Sequence, residues 1–323
     1  MRRLLMLLPL LTALILPAAC GGDDDKTFAF PTVSSAEVGV VPEITSNSAP
    51  PKESELQVLT EGKGRALAAG DMLVADLKSQ VWSTDGKEIP PYVDTFSAKR
   101  VLIASIDEIV PGVAKKLPGV KVGSRVVLVT PPADGFGEQG NPQIGVQPED
   151  SLVFVFDILD AFGKDALIDG TAPKTAPGAN LPKVTAGKNP KITIPKNDPP
   201  SGLVAEPLLV GKGPKVEKGQ EIVAQYTGVI WRNGVVFDSS WKPDRGPFAA
   251  RVAGTDPQTG EPGVIEGWVQ GLAGQRVGSR VLLVIPPKLG YGKEGNPGAD
   301  IQGTDTLVFV VDILGAYNTP AKA

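Results

Sequence analysis

The residues that could carry chemistry are few in type. The 323-residue chain has no histidine and a single cysteine, Cys20. That excludes imidazole acid–base catalysis, a Ser-His triad, a histidine-held metal and an intrachain disulfide. No metal and no cofactor are expected. What remains is aromatic and acidic: Trp268 on a short apolar stretch, Asp238 in FDSS, and Tyr291 between glycines in LGYG. Singly, each has a plain structural reading. An inward Trp on a short helix is usually core, an Asp leaving a strand usually closes an Asx turn, and the Tyr could be loop packing. Only chemistry that needs none of the excluded groups stays open.

The elements that must position these residues come in two copies. VGSRVVLVTPP (122–132) returns as VGSRVLLVIPP (277–287), and 27 of the 51 positions from Gly112/Gly267 to Phe162/Tyr317 are identical at an offset of 155. Upstream the offset is 149, matching Gly62 to Gly211 and Trp82 to Trp231. In the second copy EIVAQYTGVIW (221–231) reads as a strand, RNG (232–234) as a turn and VIEGWVQGL as a helix with Trp268 inward. RVLLVI (280–285) reads as a strand stopped by Pro286-Pro287, and TLVFVVDIL (306–314) as the last strand. The order implies an α+β fold, a short helix packed on one antiparallel sheet in each copy.

The rest of the chain frames these copies. Met1-Arg2-Arg3 and the apolar Leu4–Leu16 form a signal-like start, and LPAAC ending at Cys20 resembles a bacterial lipobox, with Pro17 where Leu is usual. Residues 1–20 are therefore expected to be a lipoprotein signal, with Cys20 lipidated and the protein held on the extracytoplasmic face of the cell membrane. Residues 21–55 read as a flexible tether. A Pro/Lys-rich segment at 163–200 reads as a linker able to separate two domains, 56–162 and 201–318, by up to ~100 Å. A net charge of −4 without a basic block in the body of the chain argues against nucleic acid as a partner.

YTG (226–228), VFDSS (236–240), DRGPF (244–248), GVIEGW (263–268), LGYG (289–292) and TLVFVVDIL, in this order over about 115 residues, resemble the FKBP-type peptidyl-prolyl cis-trans isomerases. The resemblance implies two domains, each a half-open antiparallel β-sheet wrapped around a short α-helix. In the second it implies an aromatic pocket of Tyr226, Phe237, Asp238, Phe248, Val264, Ile265, Trp268, Tyr291 and Phe309, with Arg245 beside Asp238. Trp268 would be the floor under a proline ring, Phe237, Phe248 and Phe309 the walls, Tyr291 a donor to a substrate carbonyl and Asp238 an orienting carboxylate. The implied reaction breaks no bond. Rotation about X–Pro faces a barrier near ~20 kcal/mol from amide conjugation, and an apolar pocket favours the less polar twisted amide. Implied partners are proline-containing peptides, unfolded exported proteins and macrolide immunosuppressants. Two departures stand out: Ile301-Gln302 replaces the family's usual Ile-Pro pair in the flap, and TDPQTGEP (255–262) is inserted before the helix.

The first copy keeps the apolar frame but has Leu77 for Tyr226, Val113 for Trp268 and Phe136 for Tyr291. It shows no counterpart of VFDSS or of Arg245. The expectation is a degenerate domain with little or no activity. Three functions compete: a surface-anchored isomerase for exported proteins, a non-catalytic peptide-binding or chaperone lipoprotein, and a structural spacer.

Overall fold

The structure, a computed structural model, describes residues 27–82, 90–98, 100–175, 178–255 and 263–318. The expected signal, Cys20 and nearly all of the insertion at 255–262 lie outside them.

The first unit opens with a hairpin, β1 (Thr32–Val33) and β2 (Ile44–Thr45). It continues with β3 (Glu55–Thr60), β4 (Met72–Val81), β5 (Val93–Asp94), α1 (Thr95–Ala98) and β6 (Leu102–Ser105). It closes with α2 (Ile106–Ile109), α3 (Pro111–Lys116), β7 (Arg125–Thr130) and β8 (Leu152–Phe162). The second unit repeats the plan with a hairpin, β9 (Lys183–Val184) and β10 (Ile192–Thr193), then β11 (Val204–Leu209), β12 (Glu221–Ile230), β13 (Val236–Ser239) and β14 (Phe248–Arg251). It ends with α4 (Glu266–Leu272), β15 (Arg280–Ile285) and β16 (Leu307–Tyr317). Each unit has a six-stranded antiparallel sheet, ordered β3-β7-β8-β4-β5 with β6 also on β4, and β11-β15-β16-β12-β13 with β14 also on β12.

The central strands explain the rest. RVVLVT and RVLLVI are buried at every position, and both end at a proline pair that cannot donate to the ladder. Alternate residues face the helix: Val281, Leu283 and Ile285 join Trp268 and Leu272 in one core. Contact is close enough that a Cβ on Gly267 would sit 2.4 Å from the Ile285 side chain, so the backbone of α4 rests directly on that side chain.

The other face is where the sequence reading is corrected. A strand buried on both faces needs a second cover, and the supposed tether and linker supply it. Phe28, Phe30, Val33 and Ile44 pack over Trp82, Val127, Val129, Val153 and Val155. Leu181, Val184, Ile192 and Ile194 pack over Val229, Trp231, Leu282, Val284, Val308 and Val310. Polar anchors fix each strap. The Trp82 indole donates to the Ser48 carbonyl and that of Trp231 to Asn197. The buried Arg125–Asp157 pair holds the carbonyls of Ser35 and Val40, and Arg280–Asp312 holds that of Gly187. Residues 27–54 and 178–197 are thus parts of the units. Pro50-Pro51 and Pro199-Pro200 stand at the same offset of 149 as Trp82 and Trp231, a signal that the duplication begins upstream of residue 56.

Nor does the linker hold the units apart. Lys164 Nζ donates to the Pro243 carbonyl at 2.7 Å, the Gln225 amide donates to the Lys164 carbonyl at 2.8 Å, and the Tyr317 hydroxyl donates to Asp160 at 3.0 Å. Among the described residues no helix is long and apolar enough to cross a membrane.

Candidate functional site

The site of the second unit lies between the inner face of the sheet and α4. Strand β12 contributes Tyr226, β13 Phe237 and Asp238, β14 Phe248, β16 Phe309, and α4 Trp268 with Ile265 at its N-cap. All ten residues expected at the site, Tyr226, Phe237, Asp238, Arg245, Phe248, Val264, Ile265, Trp268, Tyr291 and Phe309, line one cavity of about 350 Å³, joined by Gly263.

Trp268 is the deepest of the rings, 3 % exposed. It meets Tyr226 and Phe309 edge to face at 5.5 and 5.4 Å between centroids, and Phe248 at 6.3 Å. Phe237 meets Phe309 the same way at 5.4 Å. Perpendicular rings turn their positive edges onto negative faces and brace each other without filling the space between them. Tyr291 and Phe248, 37 % and 39 % exposed, stand at the mouth. The glycine of YTG has a steric reason: a Cβ on Gly228 would lie 2.7 Å from the Phe237 ring and 2.8 Å from that of Phe309.

One carboxylate interrupts the apolar lining. Asp238 accepts hydrogen bonds from the Tyr226 hydroxyl, from Arg245 Nη1 at 2.8 Å and from the Ser239 N–H at 2.9 Å. Burial pushes its pKa up, but the Tyr226 bond and the Arg245 charge outweigh that, so the carboxyl titrates below its usual range. Burial, followed by the bond to Asp238, raises the Tyr226 hydroxyl well above its ordinary value. Asp238 is therefore ionised and Tyr226 protonated across the physiological range. A Ser240 Oγ that accepts the Tyr226 N–H at 2.8 Å and donates to Gln225 Oε1 at 2.5 Å holds the strand beneath.

The two departures from the family pattern are resolved unequally. Ile301 is turned into the core, 4 % exposed, and its backbone pairs with Asn296, as Val146 pairs with Asn141 in the first unit. It does not line the cavity. The insertion is closed by Val264 N–H donating to the Ala253 carbonyl at 3.0 Å.

Strand register corrects one reading of the first copy. Ser79 faces Val93 as Gly228 faces Asp238, and Lys78 faces Asp94 as Thr227 faces Ser239. Tyr92-Val93-Asp94 is therefore the counterpart of Phe237-Asp238-Ser239, hidden from the sequence by a changed offset. Thr95 confirms the match, accepting the Leu77 N–H at 2.7 Å as Ser240 accepts that of Tyr226. Arg100 stands 145 positions before Arg245, as Val93 stands before Asp238. The aromatic ring is kept and the carboxylate is lost. The Ser79 hydroxyl, in place of Gly228, bonds Tyr92 Oη, and Tyr92 packs on Phe136 with centroids 6.4 Å apart. Phe156 stacks on Phe154 at 5.8 Å, and both join Leu77 and Val113 in the core.

Residues 64–159 and 213–314 each match the family model for FKBP-type peptidyl-prolyl cis-trans isomerases. A probable FK506-binding protein of Corynebacterium glutamicum is 38% identical over 129 residues, 40% of this chain and 99% of its own length. An FK506-binding protein of Streptomyces anulatus is 35% identical over 127 residues, 39% of this chain and 96% of its own. Among solved structures, FkpA from Escherichia coli is 36% identical with a TM-score of 0.32, covering 37% of this chain and 50% of that one.

Proposed function

Because this chain belongs to the FKBP-type peptidyl-prolyl cis-trans isomerase family, we propose that its second unit catalyses rotation about X–Pro bonds in exported proteins while Cys20, lipidated, holds the protein on the outer face of the cell membrane. The observation that carries the assignment is the convergence of ten side chains on one apolar cavity with a single ionised carboxylate at its edge.

The mechanism is differential solvation. A planar prolyl amide is conjugated, polar and well hydrated, and twisting it removes the conjugation that sets the barrier. Trp268 takes the proline ring, and Phe237, Phe248 and Phe309 exclude water around it. The twisted, less polar amide is then favoured over the planar one. Tyr291 donates to a substrate carbonyl from the mouth. Asp238, fixed by Tyr226 and Arg245, presents a preorganised negative charge that does not have to reorient during the rotation. No proton is transferred and no bond is broken.

The first unit, with Val93, Val113 and Leu77 at the matching places, is inactive in this reading. A macrolide immunosuppressant is expected to compete with peptide for the second unit's cavity. A prolyl cis/trans assay on the intact chain tests the assignment. Catalysis that is weakened in Asp238→Ala and Trp268→Leu supports it, and peptide binding without any rate enhancement leaves the chain a peptide-holding protein instead.

A further inference from the structure

The aromatic cavity shares part of its wall with a second space. Tyr226, Arg245 and Phe248 also line a neighbouring cleft of about 450 Å³, and its far wall belongs to the first unit: Met72 and Ser105 at strand ends, Asp107 and Glu108 on α2. The juxtaposition is pinned close to the site. Lys164 Nζ holds the Pro243 carbonyl in the loop that carries Asp244 and Arg245. The Lys164 carbonyl accepts from Gln225, which in turn accepts from Ser240, the residue that holds the Tyr226 N–H.

We propose that a substrate chain with its proline in the aromatic cavity runs on through this cleft, so that the first unit selects the residues flanking the proline and favours Lys or Arg there. The inference rests on the isomerase reading of the second unit. The shared wall of Tyr226, Arg245 and Phe248 carries it, since a polypeptide cannot end at the proline and must leave the cavity along some surface, and the cleft is the surface those three residues also line. Charge gives the selectivity. Three carboxylates line the cleft, Asp107, Glu108 and Asp244, against Lys164 and an Arg245 already paired with Asp238. Asp107 accepts the Gly70 N–H at 3.3 Å, and among the described residues neither Glu108 nor Asp244 makes an ion pair. The first unit thus keeps a part in the reaction although it has Leu77, Val93 and Val113 where the second has Tyr226, Asp238 and Trp268.

The test measures kcat/KM of the intact chain on proline peptides carrying Lys or Glu two to four residues from the proline, on either side, beside an uncharged parent. The expected Lys-over-Glu ratio is about fivefold at low salt, shrinking as salt rises. In the Asp107→Lys/Glu108→Lys double variant the ratio falls to one or below. The same charge change outside the cleft, Glu138→Lys/Glu149→Lys, keeps the wild-type ratio. A wild-type ratio near one, or a ratio unmoved by the first double variant, or one lowered equally by the second, overturns the inference and leaves the isomerase reading standing. Failure to turn over even the uncharged parent overturns that reading itself.

Discussion

Set side by side, the two units keep the same strand pairing and differ in what the strands carry. Asp238 faces Gly228 on the second sheet where Val93 faces Ser79 on the first. Three further exchanges follow: Trp268 for Val113, Tyr226 for Leu77 and Val311 for Phe156. Two remove large rings from the first unit's pocket and one puts a large ring into its core. Each unit keeps a contiguous apolar core while the residues at the matching site positions differ. The difference teaches that a pocket of this kind is a local property of a dozen side chains, separable from the frame that positions them.

The sharpest way to break the comparison is to attack the shared frame. Arg125 and Arg280 are buried ion-pair partners in equivalent places. Replacing either by Met strands its aspartate, and each variant should lose about 3–5 kcal/mol of unfolding free energy in chemical denaturation. A large loss in one unit and none in the other would show that the frames are not equivalent.

The next effect separates pocket from frame. Trp268→Leu should lower kcat/KM roughly a hundredfold and Asp238→Ala roughly tenfold, whereas Phe136→Ala in the first unit should leave it unchanged. Equal losses in both units would place catalysis in both. A smaller effect pairs one position with itself: Gly228→Ala pushes on two rings of the cavity and should cost a few-fold in kcat/KM. Ser79→Gly removes the bond to Tyr92 and should cost about 1 kcal/mol of stability with no change in rate.

The smallest expected response is to pH. With no histidine in the chain and the Asp238 pKa depressed, kcat/KM should stay level from about pH 8 to about pH 5. Because the folded pKa lies below the ordinary carboxylate value, the stability contributed by ionised Asp238 is complete above that value and disappears as pH falls through the folded pKa. Activity should fade only on that acidic side. An inflection near neutrality in the pH–rate profile would point to a titrating group not placed here.

Much of this was legible in the residues. The proline pairs stop β7 and β15 where the sequence has them, and the helix read at VIEGWVQGL is α4, which starts at Glu266 with Ile265 as its N-cap. The ten cavity residues were readable because the motifs carrying them stay in order. What escaped reading depended on pairing or on a partner far along the chain. The Tyr92-Val93 counterpart needed strand register, since the offset shifts within the loop between β4 and β5. The straps look like polar, proline-dotted linkers because only four residues in each need to be apolar to cover a sheet face. The clue lay in the strands they cover, where an antiparallel sheet with one wet face should alternate and these do not.

The straps also set where each unit can be cut. A fragment beginning at residue 201 would put Val229, Trp231, Leu282, Val284, Val308 and Val310 into water as one contiguous apolar sheet face, a surface prone to edge-on and face-on association. The portable piece must include the strap at 181–194 and Thr171, whose backbone pairs with Val210, and its counterpart must include the strap from Phe28 to Ile44. What was duplicated, then, is a self-wrapped cassette that brings its own lining for the back of the sheet, able to be added to a chain without exposing a seam.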